Sequence, residues 1–115
     1  MENWKNSRAS ERRSYEGIRR VFSNHEHLLK GFFEETQARL SLSPDIMIEQ
    51  TTGYSDGEIV LIKVALDIWS GSGNVFVWQI LETLDKQTFM HVVNGLSFVK
   101  HDHQTLIGSG GVSLF

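Results

Sequence analysis

Cysteine is absent from the sequence, proline occurs once, and no long run of hydrophobic residues is present. Without cysteine there is no disulfide, no thiol nucleophile and no cysteine-ligated zinc or iron–sulfur site. No apolar segment approaches the roughly 20 residues of a membrane-spanning helix, and the first residues lack the apolar core of a secretory signal. We therefore expect a cytoplasmic protein without a membrane segment.

The composition of the 115 residues is that of a globular chain, with 40% hydrophobic and 22% charged residues. A chain of this length forms one domain rather than two. The single proline, Pro44, lies in the stretch that is richest in turn-forming residues. We divide the domain into a basic helical arm at about 1–41, a turn-rich connection at about 41–57, an apolar helical part at about 58–100 and a tail at 101–115.

Charge is distributed unevenly along the chain. Residues 1–20 hold six basic and three acidic side chains, a local charge of +3, and because the whole chain carries −3 the remainder carries −6. A basic segment on an otherwise acidic chain can select binding partners by their charge.

The first arm shows the periodicity of amphipathic helices. From Ser10 to Phe22 the apolar residues fall on one side of a helical wheel and the arginines on the other. Ser23 and Glu26 have the spacing of a capping box, which predicts that a second helix begins there and continues to Leu40.

The segment Ile59–Trp69 is predicted to be a central, buried helix. Ser55 and Glu58 form a second capping-box pattern just before it. Wound as a helix, the segment is apolar almost all round, which is typical of a helix at the centre of a core. Its β-branched residues also fit a strand, but one about twice the common length.

Further turns and caps divide the rest of the second arm. A glycine-rich turn follows the central helix, and Asn74 is placed to cap a short helix that ends near Leu84. Asp85 is predicted to cap the next helix. The apolar stripe of that helix consists of Phe89, Val92, Val93, Leu96 and Val99.

These patterns predict an all-α fold of four or five short helices in a compact bundle, with an irregular or hairpin-like C-terminal tail. The alternative is an α+β fold in which residues 46–49, residues 59–69 and the tail pair as a small antiparallel sheet.

Two pairs of histidines are the candidate metal ligands, since imidazole binds zinc and copper. His25 and His27 point about 200° apart on a helix and cannot share a metal ion there. His101 and His103 share a face only in a strand, and no third ligand stands at a recognisable spacing. We expect no metal, no cofactor and no metal-ligating residue.

Catalytic motifs are likewise missing. The glycines at 71 and 73 are not followed by the lysine and hydroxyl residue of a phosphate-binding loop, so they predict a turn. Glu35 and Arg39 have the spacing of a helical ion pair rather than of an acid–base pair. No serine lies in a nucleophile elbow. We therefore expect no catalytic residue and no enzymatic activity.

The arginine face of the first helix is the strongest functional feature, because guanidinium groups bind carboxylates and phosphates and stack on planar groups. The candidate partner-binding residues are Arg8, Arg12, Arg13, Tyr15, Arg19 and Arg20.

The function predicted from these features is a small interaction or regulatory domain that binds and occludes a protein partner. Aromatic residues such as Phe76 and Trp78 add apolar surface that a homodimer would also cover. The alternative is a nucleic-acid-binding regulator that uses the arginine face, although an isoelectric point near 5.9 is low for such a protein.

Overall fold

The computed structural model describes Trp4 and residues 6–107, and the all-α prediction is confirmed for them. These residues form six helices and no strand. Both segments that the α+β alternative made strands, residues 46–49 and 59–69, are helical. The helices are α1 (Ala9–Val21), α2 (Glu26–Phe32), α3 (Pro44–Glu49), α4 (Asp56–Ser70), α5 (Val77–Thr83) and α6 (Lys86–Ile107).

Helix α1 confirms the helix predicted from Ser10 to Phe22. Its apolar side is buried at Ile18 and Val21. At its N-terminus the Glu11 carboxylate accepts a hydrogen bond of 2.7 Å from the backbone N–H of Arg8. An acidic group in the first turn and arginines in the last turn both complement the helix dipole.

Helix α2 is shorter than predicted, and the predicted cap at Ser23 is wrong. The chain turns through Asn24 at a φ of 65°, and His25 is the N-cap residue. The helix ends at Phe32 because Phe33 becomes extended and forms an isolated antiparallel bridge with Leu40. Residues 34–39 are therefore a surface loop rather than a helical turn.

Helix α4 is the buried centre that its apolar composition predicts. The capping box at its start is confirmed, since Ser55 Oγ accepts from the N–H of Glu58 at 3.1 Å and the Glu58 carboxylate accepts from the N–H of Ser55 at 2.9 Å. The helix ends at Gly71, whose φ of 70° is left-handed and suits glycine. Its buried residues are Val60, Leu61, Ile62, Val64, Ala65 and Leu66.

The turn after α4 is held by a carboxylate rather than by the predicted asparagine cap. Asn74 has a φ of 53° and precedes the actual N-cap of α5, Phe76. Asp67 accepts hydrogen bonds from the backbone N–H groups of Gly73, Asn74 and Val75 at 2.8, 3.2 and 3.2 Å. These bonds fix the chain that leads into α5.

Helix α6 begins as predicted, since Asp85 accepts from the N–H of Thr88 at 2.8 Å. This hydrogen bond lowers the pKa of the Asp85 carboxyl. The helix continues through residues 101–107, which the sequence assigned to the tail. The predicted hairpin therefore does not include residues 105–107, and residues 108–115 lie outside the described part of the chain.

Helices α1 and α6 pack extensively at a crossing made of glycines. A β-carbon at Gly17 would overlap a methyl group of Val99, and one at Gly95 would overlap the carbonyl oxygen of Gly17. This close approach turns the Gly95 side of α6 towards α1. As a result Val92 is buried while Leu96, at the middle of the predicted stripe, is 45% exposed.

Candidate functional site

The rings of His25 and His27 lie 6.0 Å apart between their centres, because His25 is the N-cap residue of α2 rather than a residue within the helix. His25 Nδ1 lies 3.1 Å from the carbonyl oxygen of Ser23, and His27 Nε2 lies 2.6 Å from Glu58. Residues 101 and 103 are both in α6, rather than in the strand that would place them on one face. Within the residues that the structure describes, no three His, Asp or Glu side chains are grouped closely enough to hold a metal ion.

The arginine face of α1 is divided by its own ion pairs. Glu16 accepts from Arg19 Nη2 at 2.6 Å and from Arg20 Nε at 3.3 Å. The hydrogen bond from Arg19 is the main cause that lowers the pKa of the Glu16 carboxyl. Arg20 also lies over the ring of Phe98, 4.3 Å from its centre. In the C-terminal half of the face both arginines thus share one carboxylate of the chain, which offsets one of their two charges.

The N-terminal half of the face keeps its positive charge. Arg12 Nη1 donates to the hydroxyl and the carbonyl oxygen of Ser7, both at 3.0 Å, and these are neutral acceptors. Arg8 and Arg13 form no ion pair with any described carboxylate. Arg13 is half-buried, and its Nε is shielded from solvent without a hydrogen-bond partner among the described residues.

Arg8 and Arg13, but not Arg12, line a surface cleft between α1 and the loop of residues 34–39. Its outer part is a cavity of about 620 Å³ bordered by Arg8, Glu11 and Arg39. Its inner part is a cavity of about 390 Å³ bordered by Arg13 and Trp69, and the two parts share Glu11 and Ala38. We call this surface the arginine cleft. Its neutral polar lining is Asn6, Ser10, Ser14, Thr36 and Gln37.

An aromatic cluster holds the two walls of the arginine cleft in place. Trp4 packs edge-on against Tyr15, Phe33 and Trp69 at 5.1–6.1 Å between ring centres. The indole N–H of Trp4 donates to the carbonyl oxygen of Glu34 at 2.9 Å and so fixes the loop. Burial raises the pKa of the Tyr15 phenol. The structure thus places Tyr15 in the aromatic cluster, against Trp4 and Phe33, and not in the lining of the arginine cleft.

Arg39 is a cleft residue that the sequence did not identify. The sequence predicts that it pairs with Glu35 on a helix, but residues 34–39 are a loop and its Nε donates to Glu34 at 2.7 Å. That hydrogen bond raises the pKa of the Arg39 guanidinium. Arg39 and Arg8 border the same cavity, and the loop that carries Arg39 is closed at its base by the bridge between Phe33 and Leu40.

A second surface feature is the outward side of α5. Phe76, Val77, Trp78 and Leu81 are 62–70% exposed, whereas Ile80 packs inward on the core. We call the four exposed residues the α5 ridge. Isolated exposed apolar side chains are common, but four on one short helix and its cap form a patch.

An apolar groove runs beside the ridge between α4, α5 and α6. It has a volume of about 440 Å³, and Leu96 and Val99 form its α6 wall. Both belong to the predicted stripe of α6; Leu96 is 45% exposed, while Val99 also packs against Gly17 of α1. The remaining apolar lining is Val64, Ile68, Val75 and Ile80.

Helix α4 borders both the arginine cleft and the apolar groove. Trp69 borders the cleft, while Asp67 borders the groove and holds the turn before α5. Residues two positions apart on a helix point about 200° from each other. The cleft and the groove therefore use different residues of α4, and the cleft shares no lining residue with the groove or the ridge.

Comparisons with family models, curated proteins and solved structures found no match to this chain. No helix in the described part of the chain is long and apolar enough to cross a membrane.

Proposed function

We propose that the protein is a non-enzymatic interaction domain that inserts its α5 ridge into an apolar groove on a protein partner and thereby occludes that groove. The exposure of Phe76, Val77, Trp78 and Leu81 is the observation that supports this proposal. In water such a patch is unfavourable, and burying it against a partner is worth about 25 cal/mol per Å².

The shape of the ridge favours a concave partner. Val77 and Leu81 are four positions apart and lie on one helical face, which is the spacing of anchors that enter a groove. Trp78 flanks them, and exposed tryptophan is the residue type most enriched among binding hot spots. Asp67 fixes the preceding turn, so part of the ordering that binding requires is already complete.

The area of the ridge argues against a homodimer formed ridge to ridge. Four such side chains expose roughly 500 Å², given that one aromatic side chain buries 150–250 Å². A stable interface buries about 800 Å² on each partner. A groove that encloses the ridge reaches this area because it also covers the flanks of α5, whereas a second copy of the same convex surface does not.

Site-specific photocrosslinking tests this proposal. A benzophenone amino acid is placed at position 78, at position 81 and, as a control, at the exposed Lys30 on α2. Each protein is irradiated in a lysate of its native cells. We expect one and the same partner to be crosslinked from both ridge positions and not from position 30.

A competition experiment completes the test. Excess unlabelled wild-type protein should remove the adduct, while excess Leu81→Lys should not, because a buried charge opposes insertion. The Leu81→Lys protein should unfold at the wild-type temperature, since Leu81 is 62% exposed. An adduct with twice the mass of the chain would replace the proposal with a homodimer. A nucleic-acid adduct would support the alternative regulator, and equal competition by both proteins would exclude the ridge.

A further inference from the structure

We propose that the arginine cleft is a second binding site and that it takes a short acidic peptide segment. In this assignment the peptide carboxylates contact Arg8 and Arg13, with Arg39 at the outer edge. The lining of the cleft shares no residue with the α5 ridge, so the proposal does not rest on the function proposed above.

The arginine cleft carries more basic than acidic groups. Three arginines and one glutamate border it. The carboxylate of that residue, Glu11, already accepts the backbone N–H of Arg8. Arg39 uses its Nε on Glu34, which leaves its terminal nitrogens for another acceptor. The cleft therefore presents guanidinium donors in excess of the acceptors around it.

Arg13 provides the second argument. A buried polar atom without a hydrogen-bond partner is rare and costs about 1–3 kcal/mol, more when the group is charged. Arg13 Nε is such an atom, and it belongs to a side chain that borders the inner cavity. A carboxylate in that cavity would lie against this guanidinium and bind its terminal nitrogens in a two-pronged, charge-assisted geometry, which partly offsets the cost of the shielded Nε.

The contrast along α1 is the third argument. Arg19 and Arg20, on the same helix, are held by Glu16. No equivalent carboxylate from the described residues reaches Arg8 or Arg13. A carboxylate from outside the chain would pair with the arginines at the N-terminal half of the helix, as Glu16 does at the C-terminal half.

The remaining lining favours a peptide over nucleic acid. Amide and hydroxyl side chains such as Asn6, Ser14 and Gln37 can donate to and accept from a peptide backbone. Outside residues 1–20 the chain carries −6, which repels a polyanion that extends beyond the cleft. A short acidic segment can be neutralised within the cleft.

Fluorescence anisotropy with a fluorescein-labelled octaglutamate peptide tests this inference. The full chain is titrated into the peptide at low salt, with octalysine and a single-stranded oligothymidylate of eight nucleotides as comparison ligands. We expect octaglutamate to bind most tightly, and Arg8→Gln and Arg13→Gln each to weaken its binding about tenfold. Arg19→Gln is the matched control and should change the affinity less than twofold.

The outcomes separate the site from general charge attraction. An equal loss for Arg19→Gln and Arg13→Gln would show that only net charge matters and would overturn the assignment. Tighter binding of oligothymidylate would overturn it in favour of nucleic acid, and no octaglutamate binding at millimolar protein would also overturn it. Arg8 is exposed, so Arg8→Gln remains informative if Arg13→Gln fails to fold. The Leu81→Lys protein should bind octaglutamate with the wild-type affinity, whether or not the α5 ridge proves to bind a partner.

Discussion

Gly17 and Gly95 determine how closely two helices approach each other. In each case the missing side chain leaves room for an atom of the facing helix, Val99 in one direction and the Gly17 carbonyl in the other. Glycine within a helix costs about 0.5–1 kcal/mol relative to alanine. At this crossing the close packing that glycine permits outweighs that cost.

Replacing Gly95 with alanine should therefore destabilise the protein. We expect a loss of about 1–3 kcal/mol, because the added methyl group meets backbone rather than a flexible side chain. Urea unfolding followed by circular dichroism measures this change. Gly31→Ala is the control: Gly31 is in α2 with no atom within 4 Å of its β-carbon position, so the substitution should gain about 0.5–1 kcal/mol. If both substitutions changed the free energy of unfolding by the same amount, the close packing of α1 and α6 at Gly95 would be contradicted.

Glu16 makes the stability of the protein dependent on pH. Its pKa is lowered in the folded state, first by the hydrogen bond from Arg19. Folding therefore favours the ionised carboxylate, so the stabilisation is present above the unfolded pKa of about 4.3 and disappears as the pH falls through the lower folded value. We expect Glu16→Gln to be less stable than wild type at pH 7 by about 0.5–1 kcal/mol.

Thermal unfolding from pH 7 to pH 2.5 checks this expectation. The difference between wild type and Glu16→Gln should shrink below about pH 4.3 and then vanish. Glu35→Gln serves as the control, since Glu35 is exposed and forms no ion pair with another described residue. A difference for Glu16→Gln that persists at pH 2.5 would show that the ion pairs with Arg19 and Arg20 are not its source.

At the scale of helices, the two capping-box patterns of the sequence had different outcomes. The pattern at Ser55 is realised with both reciprocal hydrogen bonds, whereas Ser23 precedes a turn that leaves His25 as the cap. Ser55→Ala should lower the free energy of unfolding by about 1 kcal/mol. Ser23→Ala should change it by less than about 0.5 kcal/mol. Chemical denaturation of the two variants side by side distinguishes these expectations, and a larger loss at Ser23 would contradict the structure.

The turn before α5 depends on Asp67. Its carboxylate accepts three backbone N–H groups, and Gly73 packs so closely on the carbonyl of Lys63 that a β-carbon would overlap it. Removing the acceptor leaves those donors without a partner. Asp67→Ala should lower the free energy of unfolding by about 2–3 kcal/mol. Hydrogen exchange of the amides of residues 73–75 should accelerate. The relative exchange rates of the amides within α1 should stay the same as in wild type.

For the whole molecule, the three tryptophans report three environments. Trp4 is buried, Trp69 is half-buried in the aromatic cluster, and Trp78 is 62% exposed. Acrylamide should therefore quench mainly the emission of Trp78. We expect Trp78→Phe to shift the emission to shorter wavelength and to abolish most of the quenching, without a change in unfolding temperature. Unchanged quenching would mean that the ridge is covered in solution.

The helical fold could be predicted because most of its signals are local. The amphipathic periodicity of α1, the capping box at Ser55 and the cap at Asp85 each depend on residues within a few positions. The end of α2 could not be predicted, because it is determined by the bridge between Phe33 and Leu40. Likewise the orientation of α6 depends on a contact of Gly95 with the distant Gly17, which no periodicity within α6 reveals.

For the candidate surfaces too, the sequence predicts the features that depend on neighbouring residues and misses those that depend on distant contacts. The sequence located the arginines of α1, and the close spacing of Glu16 to Arg19 and Arg20 already favours the pairing that the structure shows. It did not locate Arg39, whose place beside Arg8 depends on the folding back of a loop. The sequence indicated Phe76 and Trp78 as surplus apolar surface, but it did not show that they form one exposed ridge with Val77 and Leu81, because that depends on how α5 packs on its neighbours.

The crossing of α1 and α6 also has a consequence for how the chain folds during synthesis. Ribosomes deliver the chain from its N-terminus, so α1 emerges long before the helix that it packs against most extensively. Contacts between residues so far apart in sequence form late and slow the folding rate. Until α6 has been translated, the side of α1 that carries Ile18 and Val21 lacks that cover, and nascent-chain chaperones can reach it.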